Sequence, residues 1–220
     1  MTPRAGFTFG TKNPEWKQKV EPYLDALRHA GVEPVLLLPG DDPRALCAFV
    51  IGGGTDIDPA LYHAERAPET QDPDAPRDSF ESAILEQALT ANQPVLAICR
   101  GMQLFQVVHS GPLRQHIEGH VAPGVHDAHP VTVTPGSRLH AATGQAEFAV
   151  NSRHHQAVIH PPAALVVSAR AADGTIEALE RPDLRFALAV QWHPEDRVRS
   201  SEADGALFAA FAVACVAACR

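Results

Sequence analysis

The sequence has no block of lysine or arginine, no membrane-length apolar run and no secreted-type arrangement of cysteines. Each absence removes a class of function. With 18 basic against 26 acidic residues the net charge is −8, so no nucleic-acid partner and no anionic membrane surface is expected. Met1-Thr2-Pro3-Arg4-Ala5-Gly6 lacks the apolar core of a secretory leader, and a cytoplasmic location is expected. The run closest to a membrane span, Ala206 to Cys219, is short and alanine-rich and predicts a packed terminal helix. The four cysteines (Cys47, Cys99, Cys215 and Cys219) form no disulfide framework of the secreted kind. Cys215 and Cys219 sit one helical turn apart in that apolar helix and are expected in the core. Neither G-x-G-x-x-G nor a Walker lysine occurs, which excludes those modes of phosphate binding. Internal repeats and linker-like stretches are missing too, so residues 1–220 are expected to form one domain.

What is present is an alternation of strand and helix patterns. Arg4 to Phe9, Val35 to Leu38, Ala48 to Ile51 and Pro94 to Ile98 are short apolar runs of buried-strand type. Between them lie helical segments, one opened by Asn13-Pro14-Glu15 and closed at Ala30-Gly31, another from Asp78 to Ala91. This order predicts an α/β fold, a doubly wound and mostly parallel sheet. Val131 to Val133, Phe148 to Val150, Leu165 to Ala169 and Ile176 to Leu179 predict small antiparallel additions at the sheet's edge.

Chemistry concentrates at strand ends. Ala97-Ile98-Cys99-Arg100-Gly101-Met102-Gln103 joins an apolar strand directly to a helical pattern, leaving Cys99 on the turn. Gly101 supplies the missing β-carbon that so tight a turn needs. The pattern matches a nucleophile elbow with cysteine in place of serine, and the positive end of the next helix favours a thiolate there. The alternative is a buried core cysteine. Downstream, the apolar strand Phe186 to Val190 leads into Gln191-Trp192-His193-Pro194-Glu195. In extended chain His193 and Glu195 share a face, with Pro194 restraining the backbone between them. A carboxylate beside an imidazole fixes its tautomer and stabilises the imidazolium, and the imidazolium stabilises a thiolate. Nucleophile, base and orienting acid then stand in the order Cys99, His193, Glu195. The Gly52-Gly53-Gly54 loop after the third strand is a further place where backbone amides could approach a ligand. Histidines crowd residues 109–140, and His126-x-x-His129 has a zinc-like spacing. No cysteine or carboxylate pattern completes it, so no metal site is expected.

Taken together, these stretches resemble the class I glutamine amidotransferases, and within them the stand-alone γ-glutamyl hydrolases of the peptidase C26 type. The matching segments are Gly53 to Tyr62, Arg77 to Glu81, Ala97 to Gln103, Val150 to Gln156, Asp173 to Ala178 and Val190 to Glu195. The resemblance implies Cys99 as nucleophile, His193 as general base and then acid, and Glu195 as its orienter. It implies an oxyanion hole from the Arg100 backbone N–H plus one from Gly53 or Gly54. Gln103 would contact the glutamyl group, and Asn151, Ser152, His154 and His155 would line the pocket. The substrate would be the γ-glutamyl amide of a small amine or amino acid, with no metal or organic cofactor. Ser110-Gly111-Pro112 and Gln106 depart from the family pattern, and the change at 110–116 is expected on the pocket rim. Two other readings stand beside this one: a glutaminase subunit passing ammonia to a separate synthase, and a non-catalytic binding protein on the same fold. The chain leaves its oligomeric state open, a homo-oligomer included.

Overall fold

The computed structural model describes residues 2–10 and 15–219. In chain order it begins with β1 (Arg4–Thr8), α1 (Trp16–His29), β2 (Glu33–Leu37), β3 (Phe49–Ile51), α2 (Ala75–Thr90), β4 (Val95–Ile98) and α3 (Arg100–Val108). It continues with β5 (Leu113–Arg114), β6 (His129–Val133), α4 (Arg138–Thr143), β7 (Glu147–Val150) and β8 (Ala157–Val158). The last elements are β9 (Val166–Ala171), β10 (Ile176–Glu180), β11 (Ala187–Val190) and α5 (Glu202–Ala218).

Nine strands form one sheet in the order β2-β1-β3-β4-β11-β10-β9-β6-β7. From β2 to β11 neighbours run parallel, and from β11 onward each pairing is antiparallel. β4 lies between β3 and β11 and is wholly buried, which is why its sequence is continuously apolar rather than alternating. Its residues still alternate in direction. Leu96 and Ile98 pack with Val20, Leu27, Phe208 and Phe211 of α1 and α5. Val95 and Ala97 pack with Ile84, Leu85, Met102 and Phe105 of α2 and α3. Helices thus cover both faces, as the β-α alternation predicts.

Several expectations change in detail. The helix start at Asn13-Pro14 lies outside the described residues. α2 begins at Ala75, ahead of Asp78, because Pro76 has the backbone angle that suits a helix's first turn. α4 was not expected. The Ser137 hydroxyl accepts a hydrogen bond from the His140 N–H at 3.0 Å, and Gly144 closes the helix at φ 69°. Cys215 is fully buried, but Cys219 is exposed and disulfide-bonded to Cys47, with Cα atoms 5.6 Å apart. The two share a helical stripe, yet α5 ends at Ala218 and Cys219 falls beyond the core's edge. No helix among the described residues is long and apolar enough to cross a membrane.

The parallel arrangement brings the C-terminal ends of β3, β4 and β11 side by side, and the seating of α3 fixes how closely. A β-carbon on Gly101 would lie 2.2 Å from the carbonyl oxygen of Ile51, the last residue of β3. Gly101→Ala is therefore expected to destabilise the chain by at least about 2 kcal/mol through forced displacement of backbone. Urea unfolding measures this, and an unchanged midpoint would contradict the close approach.

Candidate active site

Cys99 occupies the single residue between β4 and α3, with φ 54° and ψ −107°. That conformation is strained for any residue with a β-carbon. It is held from both sides. The Cys99 N–H donates to Val190 O of β11 at 2.8 Å, and Cys99 O accepts from Met102 N–H at 3.0 Å and Gln103 N–H at 3.2 Å. The thiol thus sits at the positive end of α3.

Beneath the elbow lies a buried ionic network. The Arg100 guanidinium pairs with Asp78 and Glu81, and Arg77 Nε donates to Glu81 Oε1 at 2.8 Å. Arg77 Nη2 donates to the carbonyl oxygens of Gly52 and Gly53, both at 3.0 Å. All four charged side chains are 2% exposed or less. Burial alone would raise the Glu81 carboxyl, and the two guanidiniums bring it below its ordinary value instead. The network thereby ties the residue after Cys99 to the glycine loop after β3. A β-carbon on Gly54 would strike Arg77 Nη1 at 2.0 Å, so the loop can lie on the guanidinium only as glycine.

His193 follows β11. Its Nδ1 lies 2.6 Å from Glu195 Oε1, and its ring and the Cys99 thiol line the same cavity. Pro194–Asp196 is a short 3-10 turn. The His193–Glu195 contact therefore comes from a turn and not from the extended chain expected. Asn151 holds the His193 backbone at both ends: His193 N–H donates to Asn151 Oδ1 at 2.8 Å, and Asn151 Nδ2 donates to His193 O at 2.9 Å. Burial works against a charge on His193, but the carboxylate of Glu195 and the thiol of Cys99 overcome it and raise its pKa to about 10.

Tyr23 of α1 reaches the same point. Its hydroxyl lies 3.2 Å from His193 Nδ1 and accepts the Gly53 N–H at 3.1 Å. Burial, then Glu195 and Cys99, push its pKa well above that of an ordinary phenol. Of the two glycines either of which was expected to supply one oxyanion donor, Gly53 has its N–H engaged by Tyr23. The sequence pointed to no role for Tyr23, since it falls on the apolar stripe of α1 like any core residue.

A cavity of about 580 Å³ opens over this cluster. Gly53, Gly54, Cys99, His193 and Glu195 line it, together with Tyr23, Arg77 and Arg153. Arg100, Gln103, Asn151, Ser152, His154 and His155 are not among its lining residues. Arg100 acts through its buried side chain as an anchor. The Gln103 side-chain amide faces Gln191 Oε1 at 3.4 Å and Gln156 O at 3.5 Å. Asn151 clamps His193, and the Ser152 hydroxyl donates to His120 O at 2.7 Å. His154 is buried away from the cavity, and His155 Nε2 lies 3.1 Å from Asp56 Oδ1. Residues 110–116 also lie off the rim: Gln106 Nε2 donates to Pro112 O at 3.2 Å and Ile159 O at 2.7 Å, folding that segment back on α3. Arg153, which the sequence reading passed over inside the Val150 to Gln156 stretch, faces the cavity. Its Nη1 pairs with Asp196 at 2.5 Å, and its Nη2 lies 3.8 Å from Glu195.

The fold is that of the class I glutamine amidotransferases. The structure superposes on a Thermotoga maritima glutamine amidotransferase with a TM-score of 0.69 at 12% identity, covering 98% of this chain and 99% of the other. It matches the glutaminase domain of Trypanosoma brucei CTPS equally well, with a TM-score of 0.69 at 18% identity over 98% and 94% of the two chains. Residues 9–195 match the family model of peptidase C26, and the chain belongs to that family of glutamine amidotransferase-like hydrolases. It is 33% identical over 227 residues to the gamma-glutamyl-gamma-aminobutyrate hydrolase of Escherichia coli, covering 89% of this chain and 85% of that one. It is 44% identical over 188 residues to a Mycobacterium tuberculosis protein provisionally named as a glutamine amidotransferase, covering 79% of this chain. The match takes in only 61% of that relative's length.

The raised pKa of His193 has a consequence for stability. The folded chain binds this proton more tightly than the unfolded chain does, so the contribution is fully present below pH 6.5 and is lost as pH rises through about 10. Urea midpoints are expected to fall between pH 7 and pH 10, and to fall less steeply in His193→Gln. Equal slopes for the two proteins would contradict a buried imidazolium.

Proposed function

We propose that this chain is a cysteine-dependent hydrolase of γ-glutamyl amides, releasing glutamate and a small amine or amino acid. The observation that carries the reading is Cys99 on a strained elbow, sharing the floor of one cavity with a His193 whose Nδ1 lies 2.6 Å from Glu195. With Nδ1–H directed at Glu195, the other ring nitrogen exchanges the proton with Cys99.

The Cys99 thiolate attacks the γ-carbonyl carbon, and the carbonyl electron pair moves onto oxygen. The Arg100 N–H at the start of α3 and the Gly54 N–H are assigned to that oxyanion, since the Gly53 N–H is engaged by the Tyr23 hydroxyl. As the C–N bond breaks, imidazolium His193 gives its proton to the leaving nitrogen, leaving a γ-glutamyl thioester on Cys99. Water then attacks the thioester while His193 takes its proton. Collapse releases glutamate and returns Cys99 and His193 to their starting state. Arg153, which lines the cavity with Lys19 and the buried Arg77, suits the α-carboxylate of the glutamyl group through its planar guanidinium. The cavity volume lies within the range of small-molecule sites and leaves space beyond the γ-carbonyl for an amine. The Escherichia coli relative, named for hydrolysis of gamma-glutamyl-gamma-aminobutyrate, supports this substrate class.

Cys99→Ala should abolish turnover, and His193→Ala should cost more than Glu195→Gln, since His193 moves the proton and Glu195 only orients it. Arg153→Ala should raise KM about tenfold or more with a smaller effect on kcat. In a panel of γ-glutamyl amides, the best amine conjugate is expected to exceed glutamine by at least about tenfold in kcat/KM, roughly 1.4 kcal/mol of differential transition-state binding. Amine and ammonia release measure this. If glutamine were the best substrate, or if turnover required a second protein, a synthase-coupled glutaminase would replace this reading.

A further inference from the structure

Outside the cavity a second cluster of polar side chains converges, contributed by four separate parts of the chain. His120 lies in the loop after β5, His129 opens β6, His154 lies between β7 and β8, and Glu177 belongs to β10. Their ligand-type atoms, one from each residue, all lie within 4.8 Å of one another. Glu177 Oε1 is 3.3 Å from His120 Nδ1, 3.4 Å from His154 Nε2 and 3.7 Å from His129 Nε2. His120, His154 and Glu177 are buried, with the Glu177 side chain 0% exposed, and His129 is partly covered.

The second nitrogen of each ring shows what the first must be. His120 Nε2 meets Asp173 Oδ2 at 3.0 Å, His154 Nδ1 meets Gln156 O at 2.9 Å, and His129 Nδ1 meets Pro130 O at 3.2 Å. These partners are acceptors, so each of those nitrogens carries the hydrogen, and the opposite nitrogen of a neutral ring presents a lone pair. Three lone pairs and a carboxylate therefore point into one small space. His120 Nδ1, His129 Nε2, His154 Nε2 and both Glu177 oxygens find no hydrogen-bond partner among the described residues. Buried acceptors facing one another need either shared protons or a metal cation between them.

We propose that His120, His129, His154 and Glu177 form a closed, four-coordinate zinc site. Three imidazoles and one carboxylate suit a borderline divalent ion in tetrahedral geometry, where bonds of about 2.1 Å set ligand atoms about 3.4 Å apart. The separations from Glu177 cluster around that edge. The carboxylate and backbone carbonyls behind the rings are the kind of partner that orients metal-binding histidines. The His126-x-x-His129 pair, at which no metal site was expected from the sequence, divides between two environments. His129 belongs to the cluster, whereas His126 is exposed and contacts Asp127 and Ser200. The site's role is structural. His154 and Ser152 both hydrogen-bond to His120 O, so the metal would pin the loop whose first residue, Asn151, grips His193.

The test does not depend on the hydrolase reading. The untagged protein, alkylated with iodoacetamide so that Cys99 cannot bind metal, is expected to retain about one zinc per chain by elemental analysis. Stripping with 1,10-phenanthroline should lower the thermal midpoint by at least about 5 °C, and zinc should restore it. His129→Ala, at the least buried ligand, should bind zinc at least about tenfold more weakly. Cobalt in place of zinc should give the visible absorption of a tetrahedral site in the wild type, an independent check if that variant fails to fold. The proposal fails if the protein takes up less than about a tenth of an equivalent with no midpoint shift, or if His129→Ala binds zinc as well as the wild type. The cluster would then be held by shared protons.

Discussion

The structure depends most on one residue held in a backbone conformation it would not choose. A left-handed Cys99 costs about 1–3 kcal/mol and persists only because its surroundings leave no alternative. The ladder bond to Val190 fixes its N–H, and the first turn of α3 fixes its carbonyl. The contact of Gly101 with Ile51 O sets how near α3 comes to the sheet. These constraints raise the thiol clear of a strand that is otherwise wholly buried. The same geometry places it between the ends of β3 and β11, the strands that lead to the glycine loop and to His193.

The ionic network below the elbow joins these pieces. Two arginines and two carboxylates removed from water are not a source of net stability, since the desolvation of each opposes the attraction between them. Their effect is geometric. Arg77 reads the carbonyls of Gly52 and Gly53, and Glu81 joins Arg77 to Arg100, whose own backbone follows Cys99. Loop and elbow therefore cannot move independently. A parallel arrangement operates on the other side, where Asp204 of α5 accepts from Trp192 Nε1 and Arg197 Nε, each at 2.8 Å. Together with the Asn151 clamp, this brackets the His-Pro-Glu turn front and back.

Much of this was legible in the sequence where the signal is local. A strand running into a helix with glycine two residues past the cysteine is a backbone statement, and the elbow followed from it. The apolar strand ending in His193-Pro194-Glu195 likewise announced a second strand end. What escaped was contact between distant residues that look ordinary where they stand. Tyr23 reads as one more apolar position of α1, and its hydroxyl finds Gly53 only once β1 and β3 pair. Arg77, Asp78 and Glu81 read as a polar helix start and prove to be buried. Asn151, Ser152 and His154 were expected in the pocket wall, yet they lie outside the cavity lining and hold the backbone. The converging histidines span residues 120–154 and meet Glu177 only through the antiparallel half of the sheet, so no spacing rule could collect them. The bond between Cys47 and Cys219 is of the same kind, made across 172 residues.

The claim on which the account rests most heavily is that Cys99 carries the glutamyl group. Rapid acid quench during turnover of a γ-glutamyl amide, followed by peptide mass analysis, tests it directly. A His193 variant that acylates but deacylates slowly should accumulate the adduct. A mass gain of one glutamyl residue is expected on the peptide containing Cys99, removed by hydroxylamine and absent from Cys99→Ala. A glutamyl adduct on any other residue, or turnover retained by Cys99→Ala, would contradict it.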